Sequence, residues 1–222
     1  MDKILIGLPA FNEGPVIYDV IKKINDAGFN DVLVVDDCSC DNTFDESKRA
    51  GAVVLSHIVN RGAGAATSTI IEYARANNYD FLVLMDSDGQ HLPSDIEKLL
   101  AKSKKGVDLV IGSRLKGDIK NMPVTRRIAN FVGSLFTLFF FGGFVWDSQS
   151  GFRVLNKKAL SKINLTFDRF EFCSEMIGEA KKTNLSIEEV PIKVVYTKHS
   201  LSKGHGQSIS NGFKMIVKFL FK

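Results

Sequence analysis

Five short apolar runs, Lys3 to Leu8, Asp31 to Val35, Ala52 to Ser56, Phe81 to Met85 and Val107 to Ile111, alternate with stretches of helical periodicity across residues 3–114. Between them Ile17, Val20, Ile21 and Ile24 recur at helical spacing, as do Ile70, Ile71 and Ala74. Apolar runs of about four to eight residues bounded by turn residues suit strands covered on both faces. Strands that alternate with helices predict an α/β fold with a mostly parallel sheet flanked by helices. Ser94 and Glu97, just after Pro93, have the spacing of a capping box and predict a further helix start.

The fourth run ends abruptly in Asp86-Ser87-Asp88-Gly89-Gln90-His91. In open α/β sheets, ligands bind beyond the carboxyl ends of the strands. Two carboxylates one residue apart repel each other unless a cation lies between them, and hard oxygen ligands favour Mg2+ or Mn2+. Gln90 can add a neutral oxygen. The competing reading is a plain turn, since Asp and Gly are ordinary turn residues.

The other strand ends help to separate the two readings. Pro9-Ala10-Phe11-Asn12-Glu13 follows the first run, and Asp36-Asp37-Cys38-Ser39-Cys40-Asp41-Asn42-Thr43 follows the second. Acidic and amide side chains gathered at one sheet edge suit a base and ribose, whose hydroxyls and ring edges need acceptors. A metal would then neutralise a diphosphate that the acids alone would repel.

At 222 residues and 45% hydrophobic, the chain is long enough for one sizeable core. Its net charge of +4 is uneven: residues from Thr197 onward carry five lysines and no acid, leaving 24 basic and 25 acidic side chains before them. The basic excess points to an anionic partner at the tail, and no motif suggests nucleic acid. Cys38, Cys40 and Cys173 are odd in number, and the first two are close together, so reduced thiols in a cytosolic setting are expected. The N-terminus runs straight into a strand without the regions of a signal peptide, which predicts a catalytic part facing the cytoplasm.

Residues 128–146 hold no charge and seven aromatics, between Arg126 and Arg127 on one side and Asp147 on the other. Three readings stand: a helix or hairpin lying in one leaflet of a membrane, a buried core helix, or a true span of marginal length. Residues 1–206 are expected to form the catalytic domain, with 207–222 as a basic amphipathic helix. In that helix Ile209, Phe213, Ile216, Val217 and Leu220 share one face, and Lys214, Lys218 and Lys222 recur every four residues on another. An anionic membrane surface accounts for the lysine stripe, as does a helix packed on the domain with solvated lysines.

Taken in order, Pro-Ala-Phe-Asn-Glu, Val-Val-Asp-Asp, Asp-Ser-Asp-Gly-Gln, Gly112-Ser113-Arg114 and Ser150-Gly151-Phe152-Arg153 resemble glycosyltransferase family 2. Within that family the similarity is to the polyprenyl-phosphate (dolichyl-phosphate) sugar synthases, over about residues 3–203. The resemblance implies a GT-A nucleotide-sugar-binding fold. It also implies inverting, metal-dependent transfer of a hexose or N-acetylhexosamine from a GDP- or UDP-linked sugar to a polyprenyl phosphate, at the cytoplasmic face of a membrane.

Carried over by motif, Pro9, Phe11, Glu13, Val35, Asp37 and Ser87 line the nucleotide-sugar site, while Asp86, Asp88 and Gln90 hold the metal. Arg114, with Arg126 and Arg127, meets phosphate oxygens, including those of the acceptor. Lys198 and Lys203 stand in the basic loop that closes over the donor in the family, although the arginine usual there is missing. Cys38 occupies a position where glycine is common. Asp88, Arg114 and Asp147 are the catalytic candidates, and His91 is read either as a diphosphate contact or as a surface residue. A phosphate acceptor is already anionic near neutral pH, its second pKa being about 6, so no general base is required. Asp147 and Glu171 become candidate bases if the acceptor is instead a saccharide hydroxyl.

Two alternatives belong to other classes. Gly62-Ala63-Gly64-Ala65-Ala66-Thr67 mimics a dinucleotide fingerprint, but it follows the third strand and lacks the final glycine. A non-catalytic membrane-associated module that binds nucleotide sugars is the second, against which the intact Asp86, Asp88 and Arg114 argue.

Overall fold

The computed structural model describes residues 2–117, 124–169 and 171–195. Among these, β1 (Ile4–Ala10), β2 (Val32–Asp36), β3 (Val53–Ser56), β4 (Phe81–Leu84), β5 (Leu109–Ser113), β6 (Arg153–Asn156) and β7 (Ile187–Pro191) form one sheet in the order β3-β2-β1-β4-β6-β5-β7. Neighbouring strands run parallel except at β6, which is antiparallel to both β4 and β5. The helices are α1 (Gly14–Asp26), α2 (Thr43–Arg49), α3 (Ala63–Ala76), α4 (Ile96–Lys104), α5 (Val124–Phe141), α6 (Lys157–Lys162) and α7 (Phe172–Lys182).

Strand alternation divides the core in two. Ile6, Leu8 and Val34 meet Ile17, Ile21 and Ile24 of α1 and Leu99 of α4 on one face. Leu5, Leu33 and Val35 meet Ile70 and Ile71 of α3 and Met176 and Ile177 of α7 on the other. The mostly parallel, helix-flanked sheet expected from the apolar runs is therefore present.

Three local expectations change. Strand β1 continues to Ala10, because Pro9 and Ala10 pair with Val35 and Asp36. The Ser94–Glu97 capping box does not form: a 3-10 turn spans Pro93–Asp95, and α4 begins at Ile96 with no side-chain cap. Asp95 there receives Lys98 Nζ and the backbone N–H of Lys193, tying the turn to the segment after β7. Strand β5 starts at Leu109, because the preceding Asp108 serves as a staple.

The Asp108 carboxylate accepts from Asn156 Nδ2 at 3.0 Å, Lys158 Nζ at 2.9 Å, and the backbone N–H and hydroxyl of Ser186 at 2.9 and 3.0 Å. Burial disfavours its charge, but these donors outweigh burial and bring its pKa down to about 2. With the folded pKa below the unfolded one, the stabilisation is complete above about pH 4 and is lost as pH falls toward 2. Asp108→Asn should cost about 1–2 kcal/mol in urea unfolding at pH 7. The deficit should shrink as the pH is lowered from 4; a deficit independent of pH would show that the charge plays no part.

Candidate active site

Loops after β1, β2 and β4 emerge side by side, because these strands are adjacent and parallel. The loops after β5 and before β6 join them. Leu84 of β4 and Ile111 of β5 both stand opposite Arg153, the first residue of β6.

The β1 and β2 loops are interlocked. Asn12, in the left-handed region at φ 54°, donates its N–H to Ser39 Oγ at 2.8 Å and accepts the N–H of Cys40 on Oδ1 at 2.8 Å. Glu13 is buried at the start of α1, its N–H on Thr43 Oγ1 at 2.8 Å. Asp41 accepts the N–H of Gly14 at 3.0 Å, and a Cβ on Gly14 would lie 2.0 Å from Asn42 Oδ1. Cys38 has φ 64°, a backbone state that explains glycine at this position in the resembling family.

The two acids ending β2 point to different tasks. Asp36 accepts from the N–H and hydroxyl of Ser39 through one oxygen, Oδ1. Asp37 is buried and uses both oxygens on the 57–62 loop, accepting from the N–H groups of Arg61 and Gly62 at 3.0 and 2.6 Å and meeting His57 Nδ1 at 2.8 Å. Asp37 thus shapes the entry to α3. At that entry, the N–H groups of Gly64 and Ala65 donate to the carbonyl of Asp168, and a Cβ on Gly64 would come within 2.1 Å of the Phe167 carbonyl. The glycine motif at 62–67 accommodates a neighbouring loop of the same chain, which removes the basis for reading it as a dinucleotide site.

After β4, Ser87 is buried and donates its hydroxyl to the Pro9 carbonyl at 2.8 Å, fastening this loop to β1. Asp88 accepts the N–H of Gln90 at 3.0 Å through Oδ1 and the Gln90 amide nitrogen through Oδ2. Asp86 donates its N–H to His91 Nδ1 at 3.2 Å, and His91 Nε2 lies 3.6 Å from Asp86 Oδ2. The ring proton is therefore on Nε2, facing the carboxylate. His91 is buried and stacked on Phe152 with ring centroids 5.0 Å apart, and burial lowers its pKa to about 4. It is neutral and internal, which excludes the surface role.

Protein packed behind Asp86 raises its pKa, and the charges of Arg114 and Arg153 oppose the rise; 46% of the side chain remains open to the crevice. Gly151 forms that packing wall. A Cβ there would lie 2.1 Å from Asp86 Oδ1, so any side chain at 151 must displace the carboxylate.

Across the crevice, Arg114 grips Asp147 with Nε to Oδ2 at 2.8 Å and Nη2 to Oδ1 at 2.7 Å, and its backbone N–H adds a third bond at 2.8 Å. Burial would raise the Asp147 pKa, but the Arg114 charge and hydrogen bonds prevail and lower it. Asp147 is fully buried with both carboxylate oxygens on Arg114, in contrast to the open acid that the sequence suggested. Arg153 is also fully buried, donating to the carbonyls of Ser148, Ser150 and Cys173. Burial lowers its pKa, while Asp147 and Asp86 favour its charge. This caged cation was missed as a site element; the signal was an arginine inside the apolar run Phe152 to Leu155.

Val35 is buried on the α3 face of β2, where alternation sends its side chain into the core. Phe11 is exposed beside the crevice loops, and Pro9 is half-buried. Arg127 is half-buried on α5; the Arg126 side chain, Lys198, Lys203 and the tail 207–222 lie outside the described residues. Glu171 is buried at the start of α7. All three cysteines are free thiols, and burial pushes that of Cys173 up to about 11. Among the described residues no group of three or more His, Cys, Asp or Glu is disposed to hold a metal.

Residues 5–163 match the sequence pattern described as Glycosyl transferase family 2. A UDP-N-acetylglucosamine–dolichyl-phosphate N-acetylglucosaminyltransferase from Methanococcus voltae is 36% identical, the alignment covering 96% of this chain and 93% of that protein. The polyprenol monophosphomannose synthase of Mycolicibacterium smegmatis is 30% identical over 97% of this chain and 86% of its own length. Among solved structures, glucosyl-3-phosphoglycerate synthase from Mycobacterium tuberculosis, in complex with Mn2+ and uridine-diphosphate-glucose, superposes with a TM-score of 0.63 at 19% identity. That match covers 91% of this chain and 74% of the other. The sheet and its flanking helices are those of the GT-A fold.

Proposed function

The chain belongs to glycosyltransferase family 2 and is a glycosyltransferase, and from that premise we propose that it transfers a hexose or N-acetylhexosamine, with inversion, from a UDP-linked donor to a polyprenyl (dolichyl) phosphate. One observation carries this reading. Asp86 and Asp88 leave the end of β4, and the Arg114 charge, held by Asp147, acts on Asp86, so acids and a guanidinium meet at the sheet edge beside the nucleotide loops. The acceptor class follows the two relatives named for lipid phosphates. A GDP-linked mannose donor is the second reading, favoured by the mannose synthase.

The donor set suits Mg2+ or Mn2+. Mg2+ is commonly held by one or two carboxylates together with substrate phosphates, so Asp86, Asp88 and the Gln90 side-chain oxygen are a sufficient protein share. When bound, the ion supplies charge neutralisation for the departing diphosphate. His91 and Gly151 hold Asp86 in place, and Gln90 holds Asp88. Phe11 and Glu13 border the nucleotide side, with Asp36 and Asp37 shaping the loops around it. Arg114, preset by Asp147, binds phosphate oxygen, with Arg127 nearby in sequence on α5.

A lipid phosphate brings its own anionic nucleophile. A saccharide hydroxyl would need a base, and Asp147 is already committed to Arg114. The lipid acceptor puts the domain at the cytoplasmic face of a membrane as a peripheral or monotopic protein. Incubation with Mn2+, dolichyl phosphate and UDP-N-acetylglucosamine, UDP-glucose or GDP-mannose in turn tests the reading: one donor should give a glycosylated lipid phosphate. Transfer only to a saccharide hydroxyl, or donor binding without turnover, would overturn it.

A further inference from the structure

Glu188 and Glu189 are neighbours on the edge strand β7 with opposite surroundings. The Glu188 side chain is 46% exposed and pairs with Lys102 Nζ at 2.7 Å, the ordinary state of a charge on a sheet edge. Glu189, turned to the other face by strand alternation, keeps only 5% of its side chain exposed. A carboxylate that dry needs hydrogen-bond donors on its oxygens. Oε1 accepts the backbone N–H of Asp147 at 3.0 Å, and Oε2 lies 3.1 Å from Lys116 Nζ. Those two donors belong to the two segments that make the Arg114–Asp147 fork. Asp147 lies in the loop after α5, and Lys116 stands in the turn where the N–H of Gly117 donates to the Arg114 carbonyl at 3.1 Å. Strand β7 also pairs with β5, placing Glu189 opposite Ile111 and Pro191 opposite Ser113, the residue before Arg114. One carboxylate on a paired strand thus ties together two segments whose fork residues are 33 positions apart.

We propose that Glu189 is a positioning residue for phosphate binding: by clamping the Asp147 backbone N–H from β7, it sets where the Arg114 guanidinium stands at the sheet edge. Lys116, on the other oxygen, keeps the carboxylate from turning. A guanidinium recognises phosphate through donors held in a fixed fork, so its aim decides its affinity. Arg114 takes that aim from Asp147, with Nε and Nη2 on the two carboxylate oxygens. Glu189 therefore acts through Asp147 and Arg114. It has this role only if Arg114 binds phosphate oxygen, as the functional reading holds.

Geranyl phosphate, a short prenyl monophosphate, and UDP with Mn2+ offer two sources of phosphate oxygen. The affinity of the full chain for each is read by calorimetry, below the melting transition of every variant. Glu189→Ala should weaken at least one of them about tenfold, the scale of one displaced charge-assisted hydrogen bond. A loss on geranyl phosphate assigns the fork to the acceptor, and a loss on UDP assigns it to the donor diphosphate; both support the clamp. Glu189→Gln should stay within about threefold of wild type, because its amide oxygen still accepts the Asp147 N–H while Lys116, 41% exposed, turns to water. That rescue separates position from charge. The Asp147→Ala/Arg114→Met background keeps the backbone N–H at 147 but lacks the fork, so Glu189→Ala should change neither affinity there, as groups that act as a unit are not additive. Equal losses in the Gln and Ala variants, no loss in the Ala variant, or the same loss with and without the fork would overturn the clamp while leaving the functional reading intact. Full affinity for both ligands in the background without the fork would refute phosphate binding by Arg114, and the clamp with it.

Discussion

Asp88→Asn should reduce sugar transfer by about 10³-fold or more while leaving the fold intact, the scale expected when a preorganised stabiliser of transition-state charge is lost. The change is nearly isosteric. Asp88 is partly exposed and accepts from the N–H and side-chain amide of Gln90. An asparagine keeps one acceptor for them, so the melting temperature should move little. What disappears is one of two negative charges, and with it most of the attraction for a divalent ion beside a diphosphate. Mn2+ titrated into the variant with nucleoside diphosphate, followed by calorimetry or Mn2+ resonance, should show weakened ion binding independent of turnover. Unchanged transfer would remove Asp88 from the chemistry and, with it, the metal assignment of the crevice.

Asp147→Ala should act on both stability and turnover. The side chain is fully buried and holds Arg114, itself only 16% exposed, by two side-chain bonds and one backbone bond. Removal strips Arg114 of these three bonds close to the buried Arg153, and stripping one partner from a buried ion pair costs about 3–5 kcal/mol. The lower end is expected, because Arg114 retains some access to water. The Asp147 pKa is depressed in the fold, so its contribution is complete above the ordinary carboxylate value and fades only as pH falls below it. The gap between wild type and variant should therefore be constant through neutral pH. Asp147→Ala/Arg114→Met should recover much of the lost stability and none of the lost activity. If the double variant melts no higher than the single one, the ion pair is not what Asp147 contributes.

The strands legible in the chain were those whose information is local. β1 to β5 are apolar runs with turn residues on both sides, and each forms within a few residues of its expected bounds. β6 and β7 escaped for identifiable reasons. Arg153 interrupts the apolar character of β6, and β7 is an edge strand whose Glu188, Glu189 and Pro191 disguise it. Helix α5 was recognised as unusual, but its composition suited three different placements. The direction of its polar stripe depends on Ser148 and Ser174, which lie outside the helix.

Motif residues divided in the same way. Asp86 and Asp88 stand in one loop, and their position at a strand end follows from the strand itself. Val35 belongs to an equally recognisable motif yet faces the core, because alternation along β2 outweighs proximity to the motif. Asp37 carries the expected charge but spends it on the loop that starts α3. Asp147 looked like a free acid because Arg114 is 33 residues away in the chain.

The sequence by itself determined the alternating architecture, the edge at which ligands meet the sheet and the carboxylates available there, since strand periodicity and strand ends are properties of neighbouring residues. Only the tertiary structure decided which acids stay open to a ligand, which are neutralised, and which way α5 turns its apolar stripe. Burial and ion pairing are set by groups distant in the chain, and the same side chain is reactive or structural according to which of them arrives beside it.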